Sequence, residues 1–79
     1  MKILFFAQLR EVSGFSELEL RLSDPVSARE LWERLQQMLP RLREIKVPLQ
    51  VACNQELVGW ETRLNPQDEV AFLPPVSGG

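Results

Sequence analysis

A chain of 79 residues has room for one small domain and a single core, because two halves would each bury too little surface to offset the entropy of ordering them. With 44% apolar and 25% charged residues, the composition is that of a folded globular protein and lies far from the disordered and membrane-embedded classes. One cysteine and no histidine rule out an internal disulfide, a Cys/His metal cage and a Ser-His or Cys-His catalytic pair, and the net charge of −2 creates no field that would gather nucleic acid or anionic lipid.

The first apolar run, Ile3 to Ala7, is far shorter than the roughly 20 residues of a membrane-spanning helix. Gln8, Arg10 and Glu11 interrupt it before a signal-peptide core can form, so the expected setting is cytoplasmic, with no processing and no membrane contact. Residues 2–9 are β-branched, aromatic and aliphatic and predict a first strand. Its period of two sends Ile3, Phe5, Ala7 and Leu9 one way and Leu4, Phe6, Gln8 and Arg10 the other. Ser13-Gly14 marks a turn, and Glu17 to Leu22 alternates cleanly as a second strand, with Leu18, Leu20 and Leu22 inward.

Ser27 with Glu30 three residues on is a capping box, and Val26 is placed to staple onto Leu31. Ala28, Leu31, Leu35, Met38 and Leu42 then recur at helical spacing, with Trp32 and Leu39 beside them. Pro40 ends that helix near Leu39, with room for one more turn to Leu42. Leu49 to Cys53 reads as a third strand, Asn54-Gln55-Glu56 as a turn, Leu57-Val58 as a short strand, and residues 59–63 as a loop or partial strand. Asn65-Pro66-Gln67-Asp68 is a further turn before the last strand, residues 69–73, which Pro74-Pro75 terminates. Strands and one main helix in this order predict an α+β roll, a four- to five-stranded sheet with the helix on one face. The first and last strands, the most apolar, are expected at its centre.

No catalytic constellation emerges along this body. Glu17, Glu19, Glu30 and Glu33 fall where periodicity points them to water or to a cap, and Gly14 and Gly59 are isolated and open no helix, so no phosphate loop exists. Cys53 alternates with Leu49 and Val51, which favours an inert buried thiol over a persulfide carrier. Trp32 and Trp60 read as packing residues, and no metal site is expected.

The chain closes on Pro74-Pro75-Val76-Ser77-Gly78-Gly79. At an average glycine frequency of about 7%, both last positions would be glycine by chance only roughly 0.5% of the time. The prolines favour an extended path out of the last strand, and six residues reach at most about 20 Å, enough to enter another protein's active site. Glycines at 78 and 79 remove every Cβ near the terminal carboxylate, so the expected reactive group is the α-carboxylate of Gly79, with Gly78 giving access to it. Residues 1–73 would form the domain and residues 74–79 the projecting tail.

A β-rich domain with one helix and a Gly-Gly end resembles the ubiquitin-like β-grasp proteins. Leu4-Phe-Phe-Ala-Gln-Leu-Arg-Glu11, Val51-Ala-Cys-Asn-Gln55 and the closing Asn65 to Gly79 are similar, more narrowly, to the small subunits of molybdopterin synthase, the MoaD family. Cys53 is not part of that family's pattern.

The resemblance implies a sulfur carrier that binds no cofactor itself and leaves catalytic groups to its partners. An E1-like enzyme would use ATP to adenylate Gly79, a sulfur donor would convert it to a thiocarboxylate, and the large synthase subunit, in a heterotetramer, would receive the tail and pass the sulfur to a cyclic pyranopterin. An apolar partner surface is expected from Leu4, Phe6, Leu57, Ala71 and Leu73, with Arg10 at its edge and Pro74, Pro75, Val76 and Ser77 lining the path of the tail. Three readings stay open beside it: a related carrier for thiamine or tRNA thiolation, a protein-conjugating modifier, and a plain binding module.

Overall fold

The computed structural model of the chain describes residues 1–75. Lys2–Phe5 form β1, with Ile3 and Phe5 buried between an exposed Lys2 and a half-buried Leu4. The strand expected over residues 2–9 stops there. Ala7 takes φ 52° and ψ −129°, and the Leu9 N–H donates to the Phe6 carbonyl at 3.1 Å. That is the geometry of a type II′ turn with Ala7 at its first central position, a site that ordinarily demands glycine. The turn throws the chain out of the sheet into a short helix, α1 (Gln8–Ser13), which carries Leu9 into the core and ends on a left-handed Gly14. Leu9 is therefore buried as expected, but from a helix, whereas Ala7 is exposed. Alternation over so few residues does not distinguish the two courses.

β2 (Glu17–Glu19) runs antiparallel to β1 with Leu18 opposite Ile3, and Met1 and Leu20 prolong the ladder by exchanging two backbone hydrogen bonds of 2.8 Å. Val26–Ser27 make a two-residue strand, β3, that leads directly into α2 (Ala28–Met38). The capping box is present. Ser27 Oγ accepts from the Glu30 N–H at 3.1 Å, while the Glu30 carboxylate accepts from the Ser27 N–H at 3.3 Å. Those bonds from Ser27, with smaller help from Arg63 and Arg34, hold the Glu30 carboxyl below its usual range. After Leu39 the chain tightens into a 3-10 turn, Pro40–Glu44, which brings Leu42 into the core and realises the extra turn that the apolar spacing indicated.

β4 (Gln50–Cys53) and β5 (Glu56–Val58) form a hairpin across Asn54 and Gln55, both at positive φ (50° and 73°), as a type I′ connection requires. β6 (Arg63–Leu64) pairs with β3 as a small second ladder, too short for its pattern to show in the sequence. β7 (Glu69–Leu73) completes a five-stranded sheet in the order β2-β1-β7-β4-β5, in which only the β1–β7 pair is parallel. Ile3 and Phe5, Val51, and Val70 and Phe72 form its inner face and meet Ala28, Leu31 and Leu35 of α2 in one core. The architecture is the expected α+β roll. No helix among the described residues is long and apolar enough to cross a membrane.

The turn at Ala7 yields a direct test. Relief of a positive φ, worth about 1–3 kcal/mol, outweighs the extra unfolded-state entropy of glycine, about 0.4–1 kcal/mol, so Ala7→Gly should stabilise the domain by about 1 kcal/mol. In a domain of this size that is a rise of about 4–8 °C in Tm. A lower Tm by calorimetry would contradict the turn.

Candidate functional site

Because β7 has ladders on both sides, the strand that runs toward the C-terminus is held at the centre of the sheet, with Leu73 opposite Gln50 of β4. Half-buried Pro74 and exposed Pro75 follow, and neither has an N–H with which to prolong the ladder. Val76, Ser77, Gly78 and Gly79, to which the expected chemistry belongs, lie outside the described residues. The structure thus defines the root of the tail and the surface around it.

The register assembles that surface. With Ile3, Phe5, Val51, Val70 and Phe72 turned inward, the intervening residues point to the opposite face. Leu4 lies opposite Ala71, Ala71 opposite Ala52, and Ala52 opposite Leu57, giving one apolar row across four strands. Leu57 at its end is 64% exposed. Phe6, 48% exposed, follows Phe5, whose partner is Phe72, so Phe6 and Leu73 come next along their two chains. Leu4, Phe6, Leu57, Ala71 and Leu73 are therefore gathered beside the tail root.

Ala52, the link between Ala71 and Leu57, was not singled out from the sequence. Its outward direction follows from an inward Val51, but its neighbours follow only from the strand order. Arg10 departs from expectation: it sits on α1 and not on the strand face, because the turn at Ala7 ended the alternation that had been carried through to it.

At the opposite end of β7, two turns are tied together by side chains. Asp68 accepts from the Asn65 N–H at 2.8 Å, from Asn54 Nδ2 at 3.2 Å and from Cys53 Sγ at 3.3 Å, and Asn54 Oδ1 accepts from the Glu69 N–H at 3.0 Å. The Asn65 bond, with those from Asn54 and Cys53, holds Asp68 below the usual carboxylate range despite its partial burial. Burial first, then the bond to Asp68 and the charges of Asp68 and Glu56, push the Cys53 thiol up to about 11. It is a protonated donor at neutral pH and a poor nucleophile. Trp32 and Trp60 pack on Phe72 with centroids 5.1 and 6.0 Å away, on the helix side of the sheet. They line a groove of about 300 Å³ together with Ile45, Val47 and Leu49. Among the described residues no three His, Cys, Asp or Glu side chains gather as a metal site would need.

The family model described as ThiS family matches residues 3–79. The molybdopterin synthase sulfur carrier subunit of Haemophilus influenzae is 40% identical over 81 residues, covering 100% of this chain and 99% of that protein. The protein of the same name from Escherichia coli is 40% identical over 80 residues, with coverage of 100% and 99%. Among solved structures, small archaeal modifier protein 1 of Haloferax volcanii superposes with a TM-score of 0.83 over 95% of each chain at 22% identity, a likeness of fold alone.

The Asp68 knot sets a pH profile. Asp68, with its folded value depressed, stabilises fully above the ordinary aspartate pKa of about 3.9, and that contribution disappears as pH falls through the folded value. Cys53, with its folded value raised, stabilises fully below its ordinary value of 9.0, and that contribution disappears as pH rises toward about 11. Urea denaturation across pH should show a plateau that falls on both sides, and Asp68→Asn should blunt both falls. The same variant should bring the thiolate absorbance of Cys53 to a lower pH; an unmoved titration would break the proposed link.

Proposed function

The chain belongs to the ThiS family, and on that premise we propose that it is the sulfur carrier subunit of a molybdopterin synthase, acting through its C-terminal carboxylate. The observation that carries the reading is that the likeness to the named carrier subunits runs the length of the chain, Gly-Gly end included. The body complements it: a central strand with ladders on both sides leads to the tail, and an apolar face on which Phe6 and Leu57 are exposed lies beside the tail's root.

The chemistry begins with a carboxylate, which is a poor electrophile. An E1-like activating enzyme joins the Gly79 carboxylate to the AMP moiety of ATP, releasing pyrophosphate and leaving an acyl adenylate. The terminal sulfur of a donor persulfide attacks the acyl carbon and expels AMP. Reduction of the resulting acyl disulfide by a thiol leaves the thiocarboxylate and a new disulfide between donor and thiol. The tail then enters the large synthase subunit, where its sulfur passes to a cyclic pyranopterin precursor, and two such deliveries build the dithiolene.

The carrier's own residues supply positioning. Phe6, Leu57 and Leu73, with Leu4, Ala71 and Ala52 between them, dock the face; Pro74 and Pro75 aim the tail; Gly78 and Gly79 keep it narrow where it meets the partner's active site. ATP is consumed by the activating enzyme, and the carrier binds no cofactor.

Incubation with ATP, the activating enzyme and a sulfur donor should raise the intact mass by the replacement of one oxygen with sulfur, and deletion of Gly79 should abolish the change. An unchanged mass with a competent activating enzyme would sink the reading, and adducts on the lysines of other proteins would point to a modifier instead. Phe6→Glu should leave the fold intact and weaken binding of the large subunit by about 2 kcal/mol or more, roughly 30-fold, because it places a charge at the centre of an apolar contact. Wild-type affinity in calorimetry would refute the docking face.

A further inference from the structure

The groove on the helix side of the sheet takes no part in the docking face. Trp32 and Trp60, packed on Phe72, line it together with Ile45, Val47 and Leu49 of the connector that leads into β4. Val47 is 42% exposed there. Arg29 and Glu33 also line it, but Arg29 Nε is already held by Glu61 at 3.0 Å, so the groove offers chiefly apolar surface.

The register sets this groove at the root of the tail. Gln50 of β4 pairs with Leu73 of β7, and the two strands are antiparallel, so each step back along the connector meets one step forward along the tail. Continued past that last pair, the register brings Leu49 beside Pro74, Pro48 beside Pro75 and Val47 beside Val76. Alternation decides which side each residue takes. Val70 and Phe72 are buried on the helix side and Leu73 is not; Pro74 is then half-buried and Pro75 exposed, the same alternation carried through the prolines. The next position on the helix side is Val76, the one apolar side chain among the four residues after Pro75.

We propose that Val76 packs in this groove against Val47, Leu49 and Trp60 and so anchors the tail one residue beyond the prolines. The tether selects this occupant. Val76 is joined to the edge of the groove by two residues whose φ is already fixed, which gives it an effective concentration on the order of millimolar without any encounter. Only one further residue has to be ordered, and a valine side chain leaves water in return. What projects freely is then Ser77-Gly78-Gly79, with a reach of about 10 Å at about 3.3 Å per residue. The groove backs the tail while Phe6, Leu57 and Leu73 stay open on the other side of the sheet, so aiming and docking do not compete for surface. The use of the anchor rests on the carrier reading; its existence does not.

Both tryptophans of the chain line the groove, so intrinsic fluorescence reads its occupancy directly. Deletion of residues 76–79, or Val76→Ser in the full-length chain, should shift the emission to longer wavelength and strengthen quenching by acrylamide, whereas deletion of residues 78–79 alone should leave both as in wild type. The changes lie outside the core, so misfolding cannot imitate the pattern. Emission and quenching identical in all four chains would overturn the anchor, and a wild-type emission that varies with protein concentration would give the groove to the tail of a second copy instead. Val47→Ser should weaken binding of the large synthase subunit about threefold, because the tail must then be ordered on entry, and should add nothing in the Val76→Ser background. Additive losses would refute the contact between the two valines. The mass change at Gly79 tests the carrier chemistry separately, and its failure would leave the fluorescence response standing.

Discussion

The pairing of the first strand with the last is the constraint on which the rest of this domain depends. β1 and β7 lie side by side and parallel at the middle of the sheet, so residues at the two ends of the sequence become neighbours: Ile3 with Val70, Phe5 with Phe72. Bringing segments so far apart together costs closure entropy, which grows only slowly with loop length. The compensation is buried side chains. Ile3, Phe5, Val70 and Phe72 are all at most 1% exposed and lie beneath the helix that covers the sheet. The other strands of the five-stranded sheet are placed by reference to this pair, β2 on the free side of β1 and β4 with β5 on the free side of β7.

From that pairing the two faces acquire their separate tasks. The inward residues build a core that fixes β7 in position, and the outward ones, one residue out of phase, form an apolar row that no element among the described residues covers. The division between buried scaffold and open apolar face is thus the pleat of the sheet itself. Phe6 shows how local the arrangement is. It is exposed because the turn at Ala7 takes the chain away from the sheet immediately beyond it, and a strand continued to Leu9 would have lengthened the sheet instead.

Much of this was legible in the residues because several independent signals agreed. The Ser27–Glu30 cap, the apolar stripe of α2, the Asn54-Gln55 turn and the apolar first and last strands all lead to the roll that is observed, and alternation places Leu4, Phe6, Ala71 and Leu73 on one face, while Leu57 leans also on the family resemblance. What escaped was of two kinds. Short elements, α1, β3 and β6, have too few residues for a period to show. Relations across the sheet, such as the place of Ala52 between Ala71 and Leu57, depend on strand order, which tertiary packing decides and no local pattern encodes. The misplacement of Arg10 belongs to the first kind: an alternation was extended through a turn whose central residue is alanine where turn chemistry would lead one to look for glycine.

The state of Cys53 bears on how such a carrier would survive its own chemistry. An activated acyl group and a persulfide are both open to capture by stray thiolates, and the chain has a single thiol to offer. Burial, together with the contact to Asp68, keeps that thiol protonated at neutral pH, and the contact occupies it as a hydrogen-bond donor. On the proposed reading, the fold would insulate a loaded or activated end from the chain's own thiol, and one activated molecule meeting another would find no thiolate there either.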